Sequence, residues 1–219
     1  MAELIGELRA DVVRANLERV RREIADAGRA GQVEILAAVK YVPLDQLGEL
    51  ARAGVTLAGE NRAQELVAKA AAYPGLFTWD FIGALQSRKV ALIVPRVRYI
   101  HSVASESALT QLARHATAST RILIEVNVSG EAGKAGIGPE QLGEFVSASP
   151  VEVVGLMTMP PLASDPELSR PYFAALRALA EHHGLAELSM GTSQDYLVAV
   201  QEGATIIRLG QSLYGQSAS

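Results

Sequence analysis

The first residue whose type and position could do chemistry is a lysine closing an apolar run. Lys40 ends Val33-Glu34-Ile35-Leu36-Ala37-Ala38-Val39-Lys40, with Pro43 three residues beyond. So short and aliphatic a run reads as a strand buried on both faces rather than as a helix. The carboxyl ends of such strands are the edge where parallel α/β folds keep their chemistry. An amine held there and partly desolvated is a nucleophile toward a carbonyl, giving a Schiff base. The plain alternative is a lysine that returns the chain to solvent.

Two glycine-led segments suit an anion. Gly191-Thr192-Ser193 is expected to run straight into a helix, and Gly210-Gln211-Ser212 precedes a terminal helical turn. Each would aim backbone N–H groups and a hydroxyl at the positive end of a helix dipole. Read singly, Ser193 is an ordinary N-cap and Gly210 an ordinary turn glycine. Arg208 shares a strand face with Ile206 and Gly210. A guanidinium at that depth needs an anion or an acceptor, for instance a pyridine nitrogen, which a charged arginine would keep unprotonated. An internal ion pair with Glu125 is the competing reading.

The elements that must position these residues alternate along the chain. Residues 3–28 carry Leu4, Ile5, Leu8, Val12, Val13, Leu17, Val20 and Ile24 at helical spacing, ending at Gly28. After the Lys40 strand comes a helix to Gly54, then strand 55–58 and a helix stopped by Pro74-Gly75. Strand 77–82, helix 85–94, strand 98–103 and a helix capped by Ser105 follow. Strand 121–128 alternates most clearly, and its helix starts at Pro139. The last units are strand 151–157 with a helix from Asp165-Pro166 to Gly184, strand 187–190 with helix 193–202, and strand 204–209 with a short tail. Eight strand-helix units without hairpin signals predict a single (β/α)8 TIM barrel with an extra N-terminal helix. An open doubly wound sheet would need fewer units or a more polar edge strand.

The 219 residues fit one domain over 1–219, and the net charge of −4 offers no basic surface for nucleic acid or anionic lipid. There is no cysteine, and the four histidines, His101, His115, His182 and His183, show no metal-ligand spacing. No metal site, leader or membrane-spanning run is read, so the expectation is a soluble cytoplasmic protein, monomeric for want of a long exposed apolar helix face.

Several stretches then carry a resemblance. They are Ala38-Val39-Lys40-Tyr41-Val42-Pro43, Gly59-Glu60-Asn61-Arg62-Ala63-Gln64-Glu65, Phe81-Ile82-Gly83-Ala84-Leu85-Gln86-Ser87-Arg88-Lys89, Val126-Asn127-Val128-Ser129-Gly130-Glu131, Gly155-Leu156-Met157-Thr158-Met159-Pro160, Leu188-Ser189-Met190-Gly191 and Ile207-Arg208-Leu209-Gly210. In this order the chain resembles the pyridoxal phosphate homeostasis protein family, also known as proline-synthetase-associated proteins, whose barrel is related to the N-terminal domain of alanine racemases. The resemblance implies pyridoxal 5′-phosphate held covalently on Lys40 as an internal aldimine. It places Arg208 near the pyridine nitrogen, Ser193, Gly210 and the Gln211 backbone around the phosphate, Asn61 along the pocket, and His101 on the rim near the ring. Asp80, Thr192, Gln194 and Gln211 depart from the family's usual residues, three of them flanking the proposed cradle.

What the resemblance implies about function is buffering, carrying or delivering the cofactor, with PLP-dependent apoenzymes as partners and no catalytic residue. A racemase needs a second base on the far face of the cofactor, which related racemases take from another domain. Arg62 and Arg88 are expected on helix faces, leaving no free rim arginine for a substrate carboxylate. A low-turnover amino-acid racemase or lyase is the alternative, and a Schiff-base aldolase a third reading.

Overall fold

Strand-helix units that bury both faces of each strand have no edge to leave open, and here they close into a ring. The computed structural model describes residues 7–215. Among these, eight parallel strands form a closed barrel in sequence order: β1 Glu34–Ala38, β2 Leu57–Glu60, β3 Thr78–Phe81, β4 Tyr99–Val103, β5 Arg121–Glu125, β6 Glu152–Met157, β7 Glu187–Thr192 and β8 Ile206–Leu209. Closure is made by β8 on β1, with Leu36 opposite Arg208 and Ala37 opposite Leu209. The (β/α)8 architecture is therefore as the sequence predicts, and the open sheet is excluded.

The helices are α1 Ala10–Asp26, α2 Leu47–Ala53, α3 Ala63–Ala72, α4 Val90–Ile93, α5 Glu106–His115, α6 Leu142–Ala148, α7 Arg170–His182, α8 Tyr196–Gln201 and α9 Gln211–Tyr214. α1 is the extra helix; Val13, Leu17, Val20 and Ile24 form its buried stripe, while Leu4 and Ile5 of the expected helix lie outside the described residues. Ser105 caps α5 through its hydroxyl, which accepts from the Ala108 N–H at 3.2 Å, and Gly54 closes α2 in the left-handed conformation.

Boundaries differ where both faces of a strand are covered, because periodicity then marks no end. β2 runs two residues past the expected 55–58 and takes in Glu60. β5 stops at Glu125, where Val126 turns to pair with Ile137. The expected helix 85–94 is one short turn, α4, between two 3₁₀ turns.

Among the described residues no helix is long and apolar enough to cross a membrane. The core between barrel and helices is aliphatic, whereas the barrel interior is mixed. Leu36, Leu57 and Ile206 form a small apolar plug, and a set of buried polar side chains lies on the same inner face.

Candidate functional site

The mouth of the barrel holds a cavity of about 580 Å³ at the carboxyl ends of the strands. Lys40, Asn61, Ser193, Arg208, Gly210 and Gln211 all line it. Residues up to 171 positions apart in sequence thus share one surface, as barrel topology requires of the segments following each strand.

Lys40 follows β1 and is exposed within the mouth, so the partial desolvation expected of it is not found. Its ammonium lies 4.5 Å from the centroid of the Tyr41 ring. The backbone that carries it is pinned from behind. The Tyr214 hydroxyl donates to the Ala38 carbonyl at 3.3 Å, and burial pushes that phenol well above its usual range. Lys69 Nζ donates to the Val39 carbonyl at 2.7 Å and pairs with Glu60 Oε2 at 2.7 Å. Glu60 Oε1 accepts from the N–H groups of Asn61 and Arg62 at 2.7 and 3.2 Å. One buried ion pair thus joins the segment bearing Lys40 to the segment bearing Asn61. Sequence reasoning passed over Lys69, although it stands three residues from Leu66 and six from Ala63, on the buried stripe of α3.

The two loops expected to form an anion cradle take a different form from the one expected. Ser193 is not the N-cap of a helix; it lies in a turn, and α8 begins at Tyr196 with Asp195 in the N-cap position. The reason is Asp195. Its carboxylate accepts from the Thr192 N–H at 2.7 Å, the Thr192 hydroxyl at 3.1 Å and the Ser169 hydroxyl at 2.9 Å, so the chain coils once before the helix starts. Ser193 Oγ instead accepts from the N–H groups of Gly210 and Ser212, at 3.3 and 3.0 Å, and the Ser212 hydroxyl donates back to the Ser193 carbonyl. The loops after β7 and β8 are stitched together, and Gln211 opens α9 with an N–H that has no intrahelical acceptor.

Two details of the wall suit a close-fitting ligand. Asn61 Oδ1 is buried and has no hydrogen-bond partner among the described residues, which costs stability unless something binds it. At Gly210 an added Cβ would meet, among the described residues other than its chain neighbours, nothing nearer than the Ala38 carbonyl oxygen at 3.8 Å. Gly191 is the opposite case, at φ +90° with the Cβ of Ala199 only 2.5 Å from where its own would be.

Arg208 is buried and points into the mouth. Its Nη1 donates to Ser189 Oγ at 2.6 Å, and its Nη2 to the Thr158 carbonyl and to Met159 Sδ, both at 2.9 Å. Glu125 is not its ion-pair partner: among the described residues the guanidinium's bonds go to Ser189, Thr158 and Met159. Glu125 acts at a distance, opposing the burial that lowers the guanidinium to about 10, while burial raises the Glu125 carboxyl. Arg208 stays charged at neutral pH, held by neutral acceptors.

His101 is not on the rim. It is fully buried inside the barrel, with Nδ1 2.8 Å from Ser189 Oγ and Nε2 3.0 Å from Asp80 Oδ2. Its strand register faces it inward one layer beneath the mouth, which sequence order alone does not reveal. Arg62 stands exposed at the N-cap position of α3 without a capping bond, Arg88 is exposed on a 3₁₀ turn, and neither lines the cavity.

A closed barrel with a lysine after its first strand, an arginine on its last and the loops of strands seven and eight joined through Ser193 defines a class of protein. The model of the alanine racemase N-terminal domain matches residues 8–218. The pyridoxal phosphate homeostasis protein of Aquifex aeolicus is 39% identical over 215 residues, 91% of this chain and 94% of the relative. That of Deinococcus radiodurans is 37% identical over 210 residues, 92% of this chain and 99% of the relative. Among solved structures, PipY of Synechococcus elongatus with pyridoxal phosphate bound superposes with a TM-score of 0.78 at 30% identity, covering 93% of this chain and 100% of that one. The chain belongs to the pyridoxal phosphate homeostasis protein family, within the alanine racemase N-terminal domain class.

Proposed function

We propose that this protein holds pyridoxal 5′-phosphate in the barrel mouth, bonded to Lys40 as a Schiff base, and that it balances the cellular pool of this cofactor. The observation that carries the reading is the convergence of Lys40, Asn61, Ser193, Arg208, Gly210 and Gln211 on one cavity. The residues fit the ligand. An exposed amine can condense with an aldehyde, losing water. The open Gly210 and the Gln211 N–H suit a phosphate. Among the described residues Arg208 gives three of its five N–H groups to protein acceptors, and Asn61 offers an oxygen without a partner. Bound there, the cofactor would supply an aldehyde carbon and an electron-withdrawing ring. A charged arginine at the ring nitrogen holds that nitrogen unprotonated and weakens the electron sink.

The role is buffering or delivery to PLP-dependent apoenzymes rather than catalysis. Among the described residues lining the cavity there is no carboxylate or histidine to act as a second base. Of its tyrosines, Tyr214 is committed to the Ala38 carbonyl and the Tyr41 ring lies beside the Lys40 ammonium. The names of the relatives speak for the same role. In this reading the chain works as one domain over 1–219, as a cytoplasmic monomer.

The test is the visible spectrum of the purified protein before and after borohydride, beside Lys40→Ala. A yellow band that reduction fixes covalently, and that the variant lacks, is expected. A protein that stays colourless with added pyridoxal phosphate overturns the reading. Turnover of any common amino acid by the loaded protein would overturn the non-catalytic role in favour of a racemase or lyase.

A further inference from the structure

A line of buried polar side chains runs up the axis of the barrel and ends on Arg208. At its foot, Arg98 grips Asp80 with two bonds, Nε to Oδ1 at 3.1 Å and Nη2 to Oδ2 at 2.7 Å. The Tyr99 N–H also donates to Asp80 Oδ1 at 3.1 Å. His101 and Ser189 continue the line to the guanidinium, and Asp80, His101 and Ser189 are all fully buried.

Counting protons fixes the direction of each bond. Asp80 is an acceptor, since hydrogen bonds from His101 and Arg98 outweigh the burial that would raise its carboxyl and hold it below the usual range. It therefore takes the Nε2–H of His101. Burial keeps that imidazole neutral, so Nδ1 is an acceptor and takes the single proton of the Ser189 hydroxyl. Ser189 has then only lone pairs left for Arg208. The types are those of a hydrolase triad, but the hydroxyl is sealed from solvent and already accepts from a cation, so it is no nucleophile.

We propose that Asp80, His101 and Ser189 are positioning residues for Arg208: they lock its guanidinium on neutral acceptors in one pose, leaving its remaining donors for the ring nitrogen of the ligand. A guanidinium gripped by a carboxylate would be turned toward that charge and partly neutralised. Here the one carboxylate on the line, Asp80, is separated from the guanidinium by two residues, Ser189 and His101. The site thereby selects ligands whose ring offers an unprotonated nitrogen. This rests on the pyridoxal phosphate reading and adds to it the residues that set ring recognition.

The experiment compares pyridoxal phosphate with its 1-deaza analogue, in which C–H replaces the ring nitrogen, by calorimetric titration of the unliganded protein. Wild type should prefer pyridoxal phosphate. Ser189→Ala should lose about tenfold in affinity for it while binding the analogue as wild type does. His101→Phe makes the same comparison should the alanine variant not fold. Equal weakening toward both ligands, or loss of both in both variants, overturns the proposal, since the line then serves the fold alone. A wild type that binds neither ligand, or does not distinguish them, overturns the ring-nitrogen contact itself, whatever the variants do. Nitrogen NMR of the unliganded protein gives an independent readout. A proton on His101 Nε2 with Nδ1 bare is expected, and a proton on Nδ1 overturns the direction of the chain.

Discussion

Lys69 Nζ and Glu60 Oε2 meet at 2.7 Å with both side chains out of contact with water, directly behind the end of β1. The pair holds the Val39 carbonyl on one side and the Asn61 N–H on the other. Lys69→Met strands the Glu60 carboxylate without its counter-ion. Unfolding free energy, measured by urea denaturation, should fall by about 3–5 kcal/mol. Adding Glu60→Gln should restore much of it, because the larger cost is the unpaired charge rather than the missing bond. A single variant as stable as wild type would contradict the burial.

Gly191 and Gly210 predict opposite behaviour from the same substitution. Gly191→Ala forces a Cβ into a left-handed backbone and against Ala199. It should cost upwards of about 2 kcal/mol of stability. Gly210→Ala meets only ordinary contacts, so its melting temperature should match wild type while its capacity to retain pyridoxal phosphate falls. Thermal melts without ligand, set beside ligand titrations, separate the two.

Asn61→Leu removes the buried oxygen that has no partner among the described residues. Without ligand the variant should equal or slightly exceed wild type in stability, since an unsatisfied acceptor has been deleted. With pyridoxal phosphate it should bind about tenfold more weakly. Stability lost without ligand would mean that the carbonyl oxygen is not orphaned.

The buried histidine sets an acid limit. Burial holds His101 below its ordinary 6.5, with Asp80 opposing. A group whose folded pKa lies below its unfolded one binds fewer protons when folded. Its stabilising contribution is whole above 6.5 and drains as pH falls from there toward the folded value. Asp80, held below its ordinary 3.8, adds a further loss only under that value. Urea unfolding should show stability dropping below pH 6.5 by at most about 1.4 kcal/mol per pH unit for this one proton. His101→Phe should lack that upper portion of the decline.

The ring of eight units was legible because its signals are local. Strands ended by Gly or Pro, helices with apolar residues three and four apart, and a cap such as Ser105 are properties of neighbours along the chain. That Lys40, Asn61, Ser193, Arg208, Gly210 and Gln211 meet at the barrel mouth was legible for a related reason: they lie at or just after strand ends, and a parallel barrel brings all strand ends to one rim. Ser193 lies at the mouth but not at the start of a helix. Its partners are Gly210 and Ser212, whereas Asp195 took over the helix start.

What the sequence by itself determined, then, is the order of elements and the set of residues that gather at the mouth. Tertiary structure alone decided which buried polar groups meet beneath it: His101 with Asp80 and Ser189, Ser189 with Arg208, and Lys69 with Glu60 rather than with water. The physical reason is the closed barrel. With both faces of every strand covered, alternation no longer tells inside from outside. Which side chains share a layer depends on the stagger of strands contributed by distant parts of the chain, as when Leu36 comes to lie opposite Arg208.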